Sequence, residues 1–225
     1  MKASPGASSW IAAGVRHELL TRALPALRHD MAAPVSVIRM GLLLLKRQVA
    51  APDMDPAVWE QRTALIEEQV DALVSGVRSL RDWELAVDDE GITRSALVLQ
   101  CTGLMRTAFE LHGVGLHVSE ALDRREGEPR FAAAAALRYM VLGALGYLHD
   151  STLRLGTLHV DADGADALRF TATTGASEAA DPMAGALRAP RALAIDAIAL
   201  QALADGLGYA VTVERETLRL ALTPG

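Results

Sequence analysis

The chain is poor in several residue types, and each scarcity excludes something. Its 225 residues include one cysteine, Cys101, no asparagine, and two lysines beside twenty arginines. A single cysteine excludes an intrachain disulfide and fits a reducing compartment. The excess of arginine over lysine indicates a coding bias and not a phosphate-binding device. Apolar residues make up 51% of the chain, which is enough for one large domain or two small ones.

Targeting signals and long apolar runs are also scarce. Residues 1–9 are small and polar and lack the apolar core of a signal peptide. The longest apolar candidate, residues 131–148, contains Arg138 and a run of five alanines, so it is interpreted as a buried helix and not as a membrane span. A formal net charge of −6 argues against broad affinity for nucleic acid. We therefore expect a soluble, cytoplasmic protein with neither nucleic-acid nor membrane partners.

The first half of the chain has the pattern of a helical hairpin. Apolar residues recur at intervals of three or four, which predicts a buried stripe on a helix over residues 10–49. Pro25 is expected to mark a break or a restart within it. The stripe consists of Leu24, Leu27, Met31, Val35, Ile38, Leu42, Leu45 and Val49. Residues 50–56 predict a tight connection to a second helix, whose apolar residues have near-heptad spacing.

Two such antiparallel helices cannot bury both apolar faces alone. Two hairpins paired across a two-fold axis form a four-helix bundle, which buries these faces. The sequence therefore predicts a homodimer.

One segment of the first helix carries chemistry. His29 is followed by Asp30 and, five residues later, by Pro34. His29 lies two positions from both Leu27 and Met31, which is about 200° around the helix, so it is predicted to face solvent opposite the stripe. Pro34 cannot donate to the carbonyl of Asp30, and a kink is expected there. This arrangement holds an imidazole nucleophile in solvent on a helix.

The pattern changes after a polar break at residues 88–91. Helices are predicted over residues 93–111, 131–149 and 191–206, and strands over residues 114–119, 153–161, 167–173, 209–214 and 218–223. Helices grouped on one side of a mostly antiparallel sheet form an α+β sandwich. The predicted domains are a flexible N-terminus over residues 1–9, the hairpin over 10–88 and an α+β domain over 92–225.

These residues resemble the sensor histidine kinases over nearly the whole chain. His29, Asp30 and Pro34 fit that family's His-Asp/Glu-x-x-x-Pro phosphoacceptor box in its dimerisation hairpin, and the order of elements after Gly91 is similar to the family's ATP-binding domain. The resemblance implies a dimeric four-helix bundle followed by a degenerate ATPase-like α+β sandwich.

The same resemblance implies that the nucleotide site is lost. The family holds Mg-ATP with asparagines on the helix that corresponds to residues 131–149, and here Gly143, Gly146 and Tyr147 stand in that region. The family's Asp-x-Gly motif aligns near Thr173-Thr174-Gly175, where the acid is missing. Its glycine-rich loop aligns with residues 188–195, which contain no glycine, so close approach of a phosphate to the backbone is not favoured. We expect no bound ATP and no other cofactor.

A kinase-like hairpin on a degenerate ATPase domain is similar to the dimeric histidine phosphotransferases of multistep phosphorelays. The implied function is transfer of phosphate between receiver-domain aspartates through His29, which is the nucleophile, with Asp30 as its hydrogen-bond or proton partner. The expected partners are response-regulator receiver domains and a hybrid histidine kinase, and Mg²⁺ would come from the receiver. The predicted receiver-binding residues surround the histidine: Arg28, Ala32, Ala33, Pro34 and Arg39.

Ala33 stands where kinases that also dephosphorylate their receivers have Thr or Asn, so transfer is expected without efficient phosphatase activity. Two alternatives remain. In the first alternative, the chain would be a pseudo-kinase that docks a receiver or a kinase and inhibits or scaffolds it. In the second, it would be an active ATP-dependent kinase with an unfamiliar pocket. Ordinary solvated roles for His29 and Asp30 are also compatible with the sequence. The other histidines lack metal-ligand spacing, so no metal site is predicted.

Overall fold

A computed structural model describes residues 5–49, 56–85, 90–175 and 193–225. Two long helices open the chain, α1 (Pro5–Val49) and α2 (Pro56–Ser79), and a 3₁₀ turn (Leu80–Trp83) follows α2. α1 is assigned as one helix through Pro25 and Pro34. The predicted break at Pro25 is therefore absent. Most of the connection predicted over residues 50–56 lies outside the described residues.

The second half alternates short strands and helices, as its sequence pattern predicts. In chain order these are β1 (Ile92–Thr93), α3 (Arg94–Leu111), β2 (Gly115–Val118), β3 (Arg130–Phe131), α4 (Ala134–Ser151), β4 (Leu155–Ala162), β5 (Ala167–Thr174), α5 (Ala197–Leu207), β6 (Tyr209–Glu214) and β7 (Thr217–Pro224). A further 3₁₀ turn (Glu120–Leu122) follows β2. The predicted α+β fold class is confirmed.

The sheet has five strands in the order β2-β4-β5-β7-β6. β2 pairs with β4 in parallel, and the other three pairings are antiparallel. β1 and β3 form a separate two-stranded antiparallel sheet. Side chains alternate along the central strands between buried and more exposed positions, so one face of the sheet carries the core. The large side chains that are at least 99% buried are Leu158, Val160, Leu168, Phe170, Leu218, Leu220 and Leu222.

α4 is apolar on all sides because it is covered on more than one side. Fifteen of its residues are buried, including the polar side chains of Arg138 and His149. It packs against α3, α5, β5 and β7. The first half of α1 covers it as well: Leu19 is fully buried and approaches Gly143 and Gly146. A helix that is hydrophobic all round is typical of such an interior position.

The chain divides into two compact units. The larger unit comprises the ranges Met1–Ala23 and Leu85–Gly225, and the smaller unit is Leu24–Glu84. This differs from the predicted limits of 10–88 and 92–225, because the first half of α1 belongs with the α+β unit. The reason is burial: Ala12, Val15, Leu19 and Ala23 form an apolar row at helical spacing, and all four are buried.

The last helix also differs from its predicted limits of 191–206. Residues 191 and 192 lie outside the described part, residues 193–196 are not helical, and α5 begins at Ala197. The side chain of Asp196 accepts a hydrogen bond from the backbone N–H of Ala199 at 2.8 Å, so Asp196 is the N-cap. Apolar periodicity alone did not locate this cap.

Candidate functional site

His29 lies on α1 in the smaller unit and is open to solvent. Its side chain is 83% exposed and that of Asp30 is 72% exposed. Nδ1 of His29 lies 3.7 Å from Oδ1 of Asp30. This distance is too long for a hydrogen bond but is within ion-pair range when the imidazole is protonated. Because Nδ1 faces the carboxylate, Nε2 is the ring nitrogen left open to an incoming group.

The hairpin itself explains the exposure of His29. α1 contacts α2 along one side, where Met31 lies beside Gly76 and Gly41 lies beside Ile66. A Cβ atom at Gly41 would lie 2.8 Å from Cγ1 of Ile66, so the two helices approach closely there. His29 is two residues before Met31, about 200° around the helix. It therefore points away from α2, as its spacing predicts.

The five residues predicted to bind a receiver surround His29 unevenly. Arg28, Ala32, Ala33 and Arg39 are exposed, whereas Pro34 is buried. Pro34 lies seven residues after Leu27, two helical turns, on the side of α1 that also buries Leu27. Pro34 is therefore packed on the buried side of α1, and the four exposed residues are available to a partner.

The hairpin leaves two apolar surfaces open. One, here called the valine face, is on one flank of the α1–α2 contact at about 100° per residue, and its members are Leu24, Val35, Leu42, Val70, Val74 and Val77. The other, here called the Met40 groove, is on the opposite flank and is a cavity of about 760 Å³. Its apolar lining includes Val37, Met40, Leu44 and Leu65. All ten of these side chains are among the exposed large apolar residues.

The Met40 groove is on the same side of α1 as the histidine. Met40 follows His29 by eleven residues, which is close to three full turns, so the two side chains share one face of the helix. Arg62 and Glu68 of α2 add charged groups to the rim of the groove. The predicted stripe is thus divided: Leu27, Met31, Ile38 and Leu45 turn inward to varying extents, while Leu24, Val35 and Leu42 stay open.

Apolar side chains pack closely against the α4 positions that the resemblance assigns to a nucleotide. A Cβ atom at Gly143 would lie 2.7 Å from Cδ2 of Leu203, and one at Gly146 would lie 2.8 Å from Cδ1 of Ile195. Leu19 of α1 lies close to both glycines. Side chains of this protein therefore fill the space beside α4, and no asparagine is present to bind a nucleotide or its metal.

The other expected nucleotide segments are described only in part. Thr173, Thr174 and Gly175 are exposed, and Gly175 packs closely against the backbone of Gly156. Most of residues 188–195 lies outside the described part of the chain. Within the described residues, no group of three or more His, Cys, Asp or Glu side chains is placed to hold a metal ion. Cys101 is fully buried, and burial raises the pKa of its thiol to about 12, so it is not a nucleophile at neutral pH.

A buried polar cluster in the larger unit was missed by the sequence pattern. Nδ1 of His112 lies 2.9 Å from Nε2 of His149, and Nδ1 of His149 lies 3.0 Å from Oδ1 of Asp150. Oδ2 of Asp150 accepts from Arg22 at 2.8 Å and from the backbone N–H of Ile195 at 2.9 Å. The members come from α1, α3, α4 and the segment before α5, so no local spacing could have revealed the cluster.

The charge state of Asp150 follows from its partners. Burial acts to raise its pKa, but hydrogen bonds from His149, Arg22 and the Ile195 N–H, with the charge of Arg22, outweigh it and hold the pKa well below the ordinary value. Asp150 is therefore ionised at neutral pH. Since a carboxylate only accepts, Nδ1 of His149 carries the proton in this pair.

No helix among the described residues is long and apolar enough to cross a membrane. This agrees with the interpretation of residues 131–148 as a buried helix.

The chain is similar in structure to several solved histidine kinases, at low sequence identity. For the histidine kinase from Burkholderia phymatum STM815 the identity is 17% and the TM-score 0.38, with 88% of this chain and 98% of that chain covered. For the Acinetobacter baumannii histidine kinase AdeS the values are 13%, 0.35, 86% and 98%. For the histidine kinase ThkA, solved in complex with the response regulator protein TrrA, they are 12%, 0.34, 97% and 66%. No protein-family model and no curated protein matches the chain.

Proposed function

We propose that this chain is a histidine phosphotransferase of a two-component phosphorelay, which moves a phosphoryl group between receiver-domain aspartates through His29 without binding ATP. The observation that carries the proposal is the placement of His29, which is open to solvent in the middle of a helix, beside Asp30 and one turn before Pro34. A neutral imidazole that is open to solvent is a competent nucleophile.

The transfer step is a displacement at phosphorus. Nε2 of His29 attacks the phosphorus of an aspartyl phosphate, the P–N bond forms, and the P–O bond to the receiver's carboxylate breaks, so that the carboxylate leaves with the electron pair. The phosphorylated ring keeps its proton on Nδ1 and carries a positive charge. The Asp30 carboxylate, 3.7 Å from Nδ1, favours that charge. Transfer in the opposite direction reverses the same step.

This chain supplies the nucleophile and the docking surface, and the receiver supplies the metal. Phosphoryl transfer depends mainly on positioning and on stabilisation of charge. The described residues offer no acidic cluster that would hold Mg²⁺, and the proposal assigns that ion to the receiver's acidic pocket. Ala33 provides no hydroxyl or amide to orient a water molecule, so hydrolysis of the receiver's phosphate is expected to be slow.

The two apolar surfaces of the hairpin suit two different partners. A receiver would dock against the exposed Arg28, Ala32, Ala33 and Arg39, and would extend along the Met40 groove on the same side as His29. A second copy of this chain would cover the valine face and complete a four-helix bundle. α2 supports the second assignment because none of its described residues is buried within one hairpin.

The absence of ATP chemistry is proposed from packing. Any side chain larger than glycine at position 143 or 146 meets Leu203 or Ile195, and Leu19 lies against both positions. A nucleotide that used this face of α4 would have to displace the first half of α1. The hybrid kinase that supplies the phosphate is thus proposed to be a separate protein.

The test loads the full-length protein with phosphoramidate, a small phosphoryl donor, and follows the added phosphate by intact mass. Receiver domains are then added one at a time with Mg²⁺. We expect His29→Ala to abolish the loading. His17→Ala, which replaces an exposed histidine on the same helix, should leave the loading unchanged. The phosphate should then pass rapidly to one or a few receivers.

Two outcomes would overturn the proposal. If His29→Ala loads as well as the wild type, His29 is not the acceptor. If His29 loads but no receiver takes the phosphate, the pseudo-kinase alternative is favoured, because the Met40 groove and its neighbours would bind a partner without chemistry at the histidine. Receiver binding that survives His29→Ala, measured by calorimetry, would identify that case.

A further inference from the structure

The turn of α1 that carries His29 receives little support from its own surroundings. Pro25 and Pro34 lie on either side of the histidine, and neither has an N–H to donate, so the carbonyls of Thr21 and Asp30 lose their helical hydrogen bonds. Leu27 is the buried side chain of this segment, whereas Leu24, Arg28, His29, Asp30, Ala32 and Ala33 are exposed. A helix in this condition has to be fixed by packing before and after the segment.

After the segment, α1 is held by α2. Pro34, Gly41 and Leu45 are buried in the hairpin, with Gly41 in close contact with Ile66. Met31 lies beside Gly76. These contacts begin two residues after His29 and extend to Leu45, so they fix only one side of the exposed turn.

Before the segment, α1 is held within the larger unit by a close apolar fit. Leu19 and Ala23 are completely buried. Leu19 lies beside the two glycines of α4, Gly143 and Gly146, and Ala12 lies beside Gly206 of α5. Residues without side chains thus make room for the first half of α1, as closely packed helices require.

An ion pair at Arg22 adds a directional contact close to the exposed turn. Arg22 donates through NH2 to Oδ2 of Asp150 at 2.8 Å and to the Leu193 carbonyl at 3.0 Å, and through Nε to Glu18 at 2.8 Å. The side chains of Arg22 and Asp150 are only 9% and 6% exposed. Because the planar guanidinium of Arg22 is held by three partners, the position of this part of α1 against α4 is well defined.

Asp150 is itself fixed, so the contact is rigid on both sides. Its second oxygen accepts from His149, whose ring stacks on Phe109 at 5.2 Å and whose other nitrogen meets His112. The backbone N–H of Ile195 also donates to Asp150. Neutral or apolar side chains could hold a helix here at lower desolvation cost, so an ionic contact of this kind favours specificity of position over stability.

Arg22 and His29 are seven residues apart on one helix, which is two turns or about 10 Å along its axis. We propose that Arg22 and Asp150 are positioning residues for His29: by locking α1 at Arg22 they keep the exposed turn between the two prolines helical and its imidazole correctly placed. This rests on the phosphoryl transfer proposed above. Since a misplacement of about 1 Å can slow a reaction by ~100-fold, a loosened turn would affect transfer to a receiver.

The same change should hardly affect a small donor. Phosphoramidate diffuses to an exposed imidazole in any orientation, whereas a receiver's aspartyl phosphate has to meet it in one geometry. Loss of the Arg22–Asp150 contact therefore predicts slow transfer with normal loading. A contact that only stabilised the fold would change both rates together or neither.

The test uses the full chain with Arg22→Ala and the conservative Arg22→Lys. Arg169→Ala is the matched control, since Arg169 pairs with Asp163 at 2.7 Å on the exposed face of the sheet. We expect Arg22→Ala to load with phosphoramidate within about twofold of the wild type and to transfer to a receiver about tenfold more slowly. Arg22→Lys, which keeps the charge but not the planar fork, should lie between them.

Backbone amide exchange gives an independent readout that does not need a receiver. In Arg22→Ala the amides of residues 26–33 should exchange at least about tenfold faster than in the wild type, whereas the amides of β5 and β7 should change only by the factor that the fall in the free energy of unfolding, measured with urea, accounts for. Unchanged exchange and transfer in Arg22→Ala would overturn the proposal. So would equal losses of protection in residues 26–33 and in β5, because they would mean global unfolding. If the wild type takes no phosphate on His29, the proposed function fails, and amide exchange still decides whether Arg22 orders this turn.

Discussion

Arg22 and Asp150 are 128 residues apart in the chain, yet NH2 of Arg22 lies 2.8 Å from Oδ2 of Asp150. Both side chains are almost completely buried. The pair joins the first half of α1 to α4, so the α+β unit includes a segment from the N-terminal part of the chain. The helix that carries His29 is therefore part of the larger unit at its beginning and of the hairpin at its end.

Removal of the charge at position 150 should destabilise the larger unit. Asp150→Asn leaves the buried Arg22 guanidinium with one carboxylate partner, Glu18, in place of two, which should cost about 2 kcal/mol of the free energy of unfolding. Urea denaturation followed by circular dichroism measures it. Asp163→Asn is the matched control: its partners Arg169 and Arg219 are half exposed, and the change should be under about 1 kcal/mol. Equal effects of the two substitutions would contradict the role given to Asp150.

The lowered pKa of Asp150 predicts how stability depends on pH. Its folded-state pKa is held well below the ordinary value by His149, Arg22 and the Ile195 N–H, against the effect of burial. The unfolded chain has a pKa of about 3.9 for this group, so the stabilisation is complete above that value and is lost as the pH falls towards the folded-state pKa. The urea concentration at the midpoint of unfolding of the wild type should therefore decrease as the pH is lowered below about 5. The midpoint of Asp150→Asn should decrease less steeply over the same pH range. Parallel profiles would show that Asp150 is not responsible.

The glycines of α4 predict that an asparagine cannot simply be restored. Gly146→Asn places a Cβ atom 2.8 Å from Ile195, and such overpacking costs about 1–3 kcal/mol. Gly103→Ala on α3 is the control: nothing lies within 4 Å of the added methyl, and the helix should gain up to about 1 kcal/mol. Thermal unfolding measures both. Saturating Mg-ATP should raise the melting temperature of neither variant nor of the wild type, since a ligand at 100 times its Kd would add about 2.7 kcal/mol.

The proposed dimer can be tested at the valine face. Leu42→Glu and Val74→Glu, one on each helix, place charges on exposed apolar positions that are 46% and 41% exposed in a single chain. Sedimentation velocity should show a dimer for the wild type and a monomer for either variant. Leu153→Glu, at a position 85% exposed in the larger unit, should remain dimeric. A wild-type monomer at every concentration, or dimers in all variants, would exclude this face.

The sequence pattern locates the elements well where local physics decides them. Apolar spacing predicts both hairpin helices and the strands β4 to β7, because alternation and helical periodicity depend on burial of one face. The exposure of His29 follows from its distance to Leu27 and Met31. The start of α5 was misplaced, because the apolar residues before Asp196 continue a helical pattern in a segment that is not helical.

Long-range contacts were beyond the sequence pattern. The stripe from Leu24 to Leu45 was predicted to be buried, but one hairpin covers only the side that faces α2, so Leu24, Val35 and Leu42 stay exposed in the single chain. The histidines of the larger unit look scattered in the sequence, yet two pairs meet: His112 with His149, and His117 with His159 across β2 and β4. Which residues meet depends on strand order and helix packing, and the local spacing of residues predicts neither.

Transfer of phosphate from a phosphorylated receiver to His29 can be measured directly. A receiver domain that accepts phosphate from this protein is phosphorylated on its aspartate, freed of the small donor, and mixed with the unphosphorylated full-length chain in the absence of ATP. Intact mass, followed by fragmentation of the peptide that contains residues 29 and 30, locates the phosphate. One phosphate should appear on His29 as it leaves the receiver, and His29→Ala should receive none. Loss of the receiver's phosphate to water without any gain on His29, or equal gain by His29→Ala, would contradict the proposed transfer.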